Sequence, residues 1–450
     1  MTPSLLQKYN IAAPRYTSYP TVPYWQQEKP SETAWIDTVQ TAFQDNRAIS
    51  LYIHLPYCES LCTYCGCNKR ITKNHQVETP YIQTVLKEWA LYLKVLPDRP
   101  IIKELHLGGG TPTFFSAESL NYLLDGIFEH ADIAEEHSFS FEAHPWSTTD
   151  SHLIALKNKG FNRISLGVQD FDPKILKVIN RRQTYEQVQD ITHKAQMLGY
   201  ESINYDFIFG LPLQNKTNIY RNIANVQALR PNRIAFYSYA HVPWIYPGQR
   251  AYSEADIPTG EAKRELYELG KELLLDLGYG EIGFDHFALP SDALYVAHQN
   301  KRLHRSFMGY TPFGTPLNVA LGVSAISDSW GAFVQNEKKI KDYKNRVEEG
   351  ELPFFRGHLL SRTDQILRRH ILNLTCNFET DWMDENLVCD ELYDAFDRLD
   401  ELEADGLVRR KPFQLKVTDL GKPFIRNICL ALDEYYWAKR PEKALFSQVV

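Results

Sequence analysis

From Ser50 to about Tyr239 the chain alternates between two periods, and this alternation restricts its fold more than any other feature. Six short β-rich runs read "SLYIHL", "IKELHLGG", "SFSFEAH", "RISLGVQ", "SINYDFIFG" and "RIAFYSYA", with longer amphipathic segments between them. The segment from Thr184 to Leu198 shows why those are helices. Thr184 and Gln187 have the capping-box spacing, Val188, Ile191, Ala195 and Leu198 fall on one face, and Gly199 stands at the stop. Continuous apolar strands separated by helices predict a parallel sheet covered by helices. Six units are too few for a closed eight-fold barrel. An incomplete (β/α)6 barrel and a doubly wound sheet remain as the two choices.

The unusual residues of these strands sit toward their C-terminal ends: Gly108–Gly110, Glu142, Gln169, Asp206 and Ala240. Parallel α/β folds place their ligand sites at that edge. A carboxylate among apolar neighbours is costly to bury unpaired, so several converging on one edge predict a polar ligand there. The competing reading is that each caps a helix or pairs with a nearby Lys or Arg.

At 450 residues the chain is too long for one small core. The expected segments are an N-terminal extension (1–48), the barrel (49–330) and a mainly helical domain (331–450). In the last of these, "TDQILRRHILNLTCNF" and "ELYDAFDRLDELEADGLV" read as helices, "VRRKPFQLKVT" as a hairpin, and "DLGKPFIRNICLALDEYYWAKR" as helix again. That order is winged-helix-like. A DNA-binding regulator is one function it could serve, but the basic cluster at Arg409–Lys411 is small and the formal net charge is −7. Both favour packing over nucleic-acid binding. Apolar runs fall well short of a membrane span, and the first 20 residues lack a charged start followed by an apolar block. A cytoplasmic location with no membrane partner is expected.

Seven cysteines occur, and four lie in "YCESLCTYCGCNKR": Cys58, Cys62, Cys65 and Cys67. A disulfide framework would spread an even number through a short secreted chain. Zinc ribbons need a second CxxC pair, and a four-cysteine ferredoxin site needs a further ligand elsewhere. Three thiolates on a [4Fe–4S] cluster leave one iron free to chelate the amino and carboxylate groups of S-adenosylmethionine (SAM). The CxxxCxxC spacing directly after the first strand, with "GGGTP" ending the next, resembles the radical SAM superfamily.

A closer resemblance rests on motifs in fixed order: "PRYTSYP" (14–20), "YIHLPYC" (52–58), "CGCNK" (65–69), "GGGTPT" (108–113), "GVQDF" (167–171), "IFGLP" (208–212), "YAHVP" (239–243), "GVSAIS" (322–327) and "RNIC" (426–429). Nearly end to end, the chain resembles the oxygen-independent coproporphyrinogen III oxidases. The resemblance implies a radical-SAM-type incomplete (β/α)6 barrel and a [4Fe–4S] cluster held by Cys58, Cys62 and Cys65, with Cys67 nearby as a non-ligand. It implies contacts to a first SAM from Tyr52, Gly109, Glu142 and Ile326. A second SAM site is implied at Tyr64, Gly110, Thr111, Gln169, Arg181, Asp206 and Ala240. The implied activity is anaerobic oxidative decarboxylation of two propionates of coproporphyrinogen III to vinyl groups. The implied partners are a tetrapyrrole substrate and an electron donor such as a flavodoxin or ferredoxin, with the chain itself a monomer.

Two positions depart from the family pattern: His144 stands where an Asp is expected, and Leu289 where an Arg is expected. They leave open another radical SAM enzyme acting on a tetrapyrrole. Bidentate pairing to propionates calls for Arg. Arg15 is the foremost candidate, with Lys69, Arg70 and Arg305 behind it. A haem-binding chaperone of the same superfamily is the alternative from a different functional class. That subgroup typically lacks both a cysteine at the Cys67 position and the "PRYTSYP" extension, and both are present here.

Overall fold

The computed structural model describes residues 3–26, 30–44, 46–439 and 446. The ends of the first and last expected segments therefore lie outside the described residues. Six parallel strands form the centre: β1 (Ala48–Leu55), β2 (Ile101–Gly109), β3 (Asp132–Ala143), β4 (Arg163–Gln169), β5 (Ser202–Phe209) and β6 (Arg233–Ser238). They lie side by side in chain order. A doubly wound sheet reverses direction at a switch point. This one does not, so the incomplete barrel is the arrangement formed.

Helices fill the crossovers: α2 (Glu78–Val95), α3 (Ala117–Phe128), α4 (Asp150–Asn158), α5 (Tyr185–Met197) and α6 (Lys216–Leu229) follow an earlier α1 (Glu32–Gln44). The α5 start matches the sequence reading. Thr184 and Gln187 close a reciprocal capping box, and Val188, Ile191 and Ala195 are buried. The outer faces of the strands and the inner faces of the helices share one apolar core, in which Ile53, Leu107, Phe141, Leu166 and Tyr205 are at most 1% exposed.

The sheet does not stop at six strands. Four more flank β1 in the order β12-β11-β10-β9: β9 (Leu317–Leu321), β10 (Ile326–Asp328), β11 (Ala332–Asn336) and β12 (Phe354–Leu359). Of these, β9 pairs parallel with β1, with Leu51 opposite Val319. At the other edge, β7 (Gly280–Ile282) and β8 (His286–Ala288) add antiparallel to β6. The boundary expected at residue 330 thus falls between β10 and β11, inside the sheet. The physical reason is that β11 and β12 find their hydrogen-bond partners in the barrel sheet.

The remaining tail has its own core. It holds α7 (Arg362–Asn377), α8 (Asp390–Ala404), α9 (Ile425–Ala431) and a three-stranded sheet of β13 (Glu379–Asp381), β14 (Val408–Lys411) and β15 (Gln414–Val417). This is the helix and hairpin order read from the sequence. Tyr9, Tyr16 and Tyr19 of the N-terminal segment are buried in that core. By contrast, Trp35, Val39 and Phe43 of α1 belong to the barrel core. The expected 1–48 extension is therefore divided between the two.

Candidate active site

The cysteine loop begins at the mouth of β1. Tyr57–Cys58 forms a two-residue parallel bridge with Arg70–Ile71, so the chain leaves the barrel, makes a compact loop and returns beside itself. The loop is fastened on three sides. Thr63 N–H donates to Ile179 O at 3.1 Å, Asn180 Nδ2 to Leu61 O at 2.7 Å, and Gln249 Nε2 to Tyr64 O at 3.3 Å. The Gly-rich end of β2 lies against the loop's root, where Gly110 N–H donates to Leu55 O at 2.8 Å and Thr111 N–H to Tyr57 O at 3.0 Å. A Cβ at Gly110 would stand 2.6 Å from Pro56 O, so only glycine permits this approach.

These elements enclose a cavity of about 230 Å3, lined by Cys58, Cys62, Cys65 and Cys67. All four thiols are free. The Cys58 Sγ lies 3.3 Å from Thr111 Oγ1, and the Arg181 guanidinium donates to Cys62 Sγ at 3.6 Å. Lys69 Nζ donates to Cys65 O at 3.0 Å. Burial pushes the Cys58 thiol up to about 11. A hydrogen bond from Cys67, with the Lys69 charge, pulls Cys65 down to about 6. Among the described residues no three His, Cys, Asp or Glu side chains close on one point as a single metal ion needs. A [4Fe–4S] cluster takes each thiolate on a different iron and so suits thiols spread along a cavity wall. The donor set fits that group.

The strand ends supply the opposite wall. Glu142 accepts from Gly109 N–H at 3.2 Å and stands 3.6 Å from the His106 ring. Burial raises its proton affinity, but His106 and the Gly109 N–H outweigh this and hold Glu142 below the usual carboxylate range. Gln169 ends β4 in a left-handed conformation, φ 66°. Beside it, Arg181 reaches Tyr64 Oη at 3.3 Å, Gln183 Oε1 at 2.8 Å and the Gly167 carbonyl. Asp206 accepts from Ser165 Oγ at 3.1 Å and Asn204 Nδ2 at 2.8 Å. Burial and the charge of Glu142 raise it to about 6. It lies three residues before the end of β5 rather than at its tip. That position suits it to line both this cavity and a polar one of about 130 Å3 deeper in the barrel.

Of the residues singled out in the sequence, Gly109, Gly110, Thr111, Tyr64, Glu142, Gln169, Arg181 and Asp206 line the cavity with the cysteines. Four do not. Tyr52 stacks on His106 at 5.9 Å and bonds the His54 ring at 3.1 Å. Ala240 lies beyond β6, its carbonyl bonded to Gln249 Nε2, which also holds Tyr64 O. Ile326 packs against the small cluster of Trp25 and Phe333. Arg15 donates to Ser238 O at 3.1 Å and lines a separate cavity of about 60 Å3.

The other basic candidates divide as well. Lys69 lines the cysteine cavity, and Arg70 is exposed. Arg305 donates to the Arg15 and Tyr16 carbonyls, fastening the N-terminal segment. His144 lines the cavity, and its Nδ1 accepts from Trp146 N–H at 3.1 Å. Burial and the Arg181 charge hold it neutral. Leu289 packs against the barrel core. The sequence reading missed His106 and Ser165. Ser165 stands four residues, two strand periods, before Gln169 on β4, and that spacing was its signal; His106, three residues before Gly109, had none.

The radical SAM superfamily model matches residues 52–222. Curated relatives named oxygen-independent coproporphyrinogen III oxidase align over almost the full length. The Pseudomonas aeruginosa protein is 36% identical, covering 99% of this chain and 98% of its own. The Escherichia coli protein is 35% identical over the same shares. A solved structure from Escherichia coli, described as a coproporphyrinogen III oxidase that is a radical SAM enzyme, superposes with a TM-score of 0.90 at 32% identity. It covers 96% of this chain and 99% of that one.

Proposed function

Because the chain belongs to the family of oxygen-independent coproporphyrinogen III oxidases, we propose that it converts two propionates of coproporphyrinogen III to vinyl groups, giving protoporphyrinogen IX. The reaction is an anaerobic oxidative decarboxylation in haem biosynthesis, and the protein is an oxidoreductase. The observation that carries this reading is one cavity in which the four clustered free thiols face the glycine-rich end of β2 and the polar ends of β3–β5.

In this reading Cys58, Cys62 and Cys65 hold a [4Fe–4S] cluster. Bound there with SAM, the cluster supplies a 5′-deoxyadenosyl radical able to take a hydrogen atom from a propionate β-carbon. Everything else falls to the chain. Thr111 and Arg181 each hydrogen-bond one of these sulfurs and hold it in place for ligation. The close approach at Gly109 and Gly110 opens backbone groups to the methionine end of the first SAM. Glu142, kept ionised, accepts hydrogen bonds from its amino or ribose groups. Tyr52 and Ile326 support that site through their neighbours. Tyr64, Gly110, Thr111, Gln169, Arg181 and Asp206 surround the space for a second SAM or for substrate. Arg181 is its cation for a carboxylate, and Ala240 is tied to Tyr64 through Gln249.

An acidic chain cannot steer a tetra-anionic tetrapyrrole at long range, so Arg181 and Lys69 provide the local positive field. Arg15, outside this cavity, contributes by fastening the N-terminal segment. Among the described residues no helix is long and apolar enough to cross a membrane. The reading places the protein in the cytoplasm as a monomer served by a flavodoxin or ferredoxin. The test is an anaerobic assay of reconstituted protein with SAM, dithionite and coproporphyrinogen III. Mass spectrometry should show loss of two carboxyl groups. Stoichiometric retention of haem with no such product would assign the chain to the chaperone class instead.

A further inference from the structure

Two basic segments, far apart in sequence, meet beside the cysteine loop. The first holds Arg70 and Lys73. The second holds Lys338, Lys339 and Lys341. Asn68 Nδ2 donates to Lys338 O at 3.0 Å and joins them. All five cations are exposed, and among the described residues none of them forms an ion pair. The acidic neighbours in the second segment are Glu337, already paired with Arg346 at 2.9 Å, and Asp342. Two exposed apolar side chains adjoin these cations: Ile71, 40% exposed, next to Arg70, and Phe355, 41% exposed, beneath Lys338. Lys338 and Arg356 both lie over the Phe355 ring, at 5.4 and 5.9 Å. A basic surface carrying exposed apolar side chains is out of character for a chain whose net charge is −7.

Its position gives the patch a use. Ile71 is the direct strand partner of Cys58, and Thr72 N–H donates to Cys58 O at 2.9 Å. One strand therefore separates this surface from a thiol of the candidate site. We infer that this face docks a small acidic one-electron carrier protein, based on flavin or iron–sulfur, an assignment that rests on the function proposed above. The carrier loses one electron and the site gains it. No atom is transferred, and SAM cleavage consumes the electron. Charge supplies the orientation: the acidic remainder of the molecule repels an acidic carrier, and this basic surface attracts it. The exposed apolar side chains give the small contact typical of transient redox pairs.

The test compares the full-length protein with the combined variant Lys73→Glu, Lys338→Glu and Lys341→Glu. None of these side chains lines the cysteine cavity. Association with an acidic flavodoxin and with an acidic [2Fe–2S] ferredoxin is followed on the apo-protein at low and high salt. The variant should associate about 10- to 1000-fold more slowly at low salt, the range that steering supplies, and the gap should close as salt rises. Dithionite-driven SAM cleavage by the reconstituted variant should match that of the unmodified protein, while carrier-driven cleavage falls. A combined Lys→Gln variant should lie between the two.

Equal association of all three proteins would overturn the inference, as would failure of both carriers to bind the unmodified chain. So would RNA binding that the Glu variant loses while carrier-driven cleavage stays intact. Absence of dithionite-driven cleavage in the unmodified protein would strike instead at the reading of the cysteine site, because association is measured independently of it.

Discussion

Glu142 and Asp206 face one cavity from two strands, yet their surroundings move their protons in opposite directions. Glu142 has a histidine ring and a backbone N–H to hold its charge, whereas Asp206 has burial and the Glu142 charge against it. The Asp206 carboxyl therefore binds its proton more tightly folded than unfolded. Its contribution to stability is fully present below an ordinary carboxylate value near 3.8 and is lost as pH rises through about 6. Asp206→Asn should stabilise the apo-protein by about 1 kcal/mol at pH 8 and give no gain at pH 4 in urea denaturation. A pH-independent difference would mean that the carboxyl is solvated. At the cysteines, Cys67 touches Cys65 as a hydrogen-bond donor. Cys67→Ser should retain about four irons per chain after anaerobic reconstitution, whereas Cys62→Ser should not. Equal iron loss in the two variants would make Cys67 a ligand. The cysteine cluster was legible because its members are near one another in sequence. The placement of Arg15 was not, because nothing in "PRYTSYP" says which cavity a loop residue will reach.

Elements with their own chemistry at both ends were readable: the α5 capping box and the β14–β15 hairpin form where their residues indicate. Strand β9 was not. "LNVAL" is a five-residue apolar run after the alternation has ended, and its partner β1 is distant in sequence, so no local period announces it. What fixes the turn after β9 is also remote. Glu88 of α2, wholly buried, accepts from Gly322 N–H at 2.7 Å, Asn336 Nδ2 at 2.6 Å and Tyr343 Oη at 2.7 Å. Glu88→Ala would strand those donors in the core. At roughly 1–3 kcal/mol for each unsatisfied group, a loss of about 3 kcal/mol or more is expected in urea denaturation. A loss below about 1 kcal/mol would show that water replaces the carboxylate.

The molecule as a whole is held together by its two ends. Asn427 Nδ2 donates to Tyr9 O at 3.0 Å, Arg426 Nε to Pro14 O at 3.0 Å, and Tyr16 Oη to Asp433 at 3.0 Å. These contacts explain why the "PRYTSYP" and "RNIC" motifs occur together: each completes the other's hydrogen bonds. Deleting residues 1–20 should expose the tail core and speed amide exchange across residues 362–432. Dithionite-driven SAM cleavage should persist, because no residue before Cys58 lines the cavity. Unchanged exchange would mean that the tail folds without its N-terminal partner. The barrel was legible from strand–helix alternation, which is a local property. The boundary placed at residue 330 missed because β11 and β12 belong to the sheet by pairing alone.

The pairing of β1 with β9 also sets a timetable. A ribosome adding about 5–20 residues per second delivers β9 roughly 13–50 s after β1. Throughout that interval one edge of β1, the strand leading into the cysteine loop, has no neighbour in the nascent chain. All four clustered thiols have by then emerged, on a platform still open on one side. Maturation of the site therefore belongs after translation has passed Leu321. A chain released earlier would carry every cysteine of the cluster yet offer a bare strand edge to its neighbours.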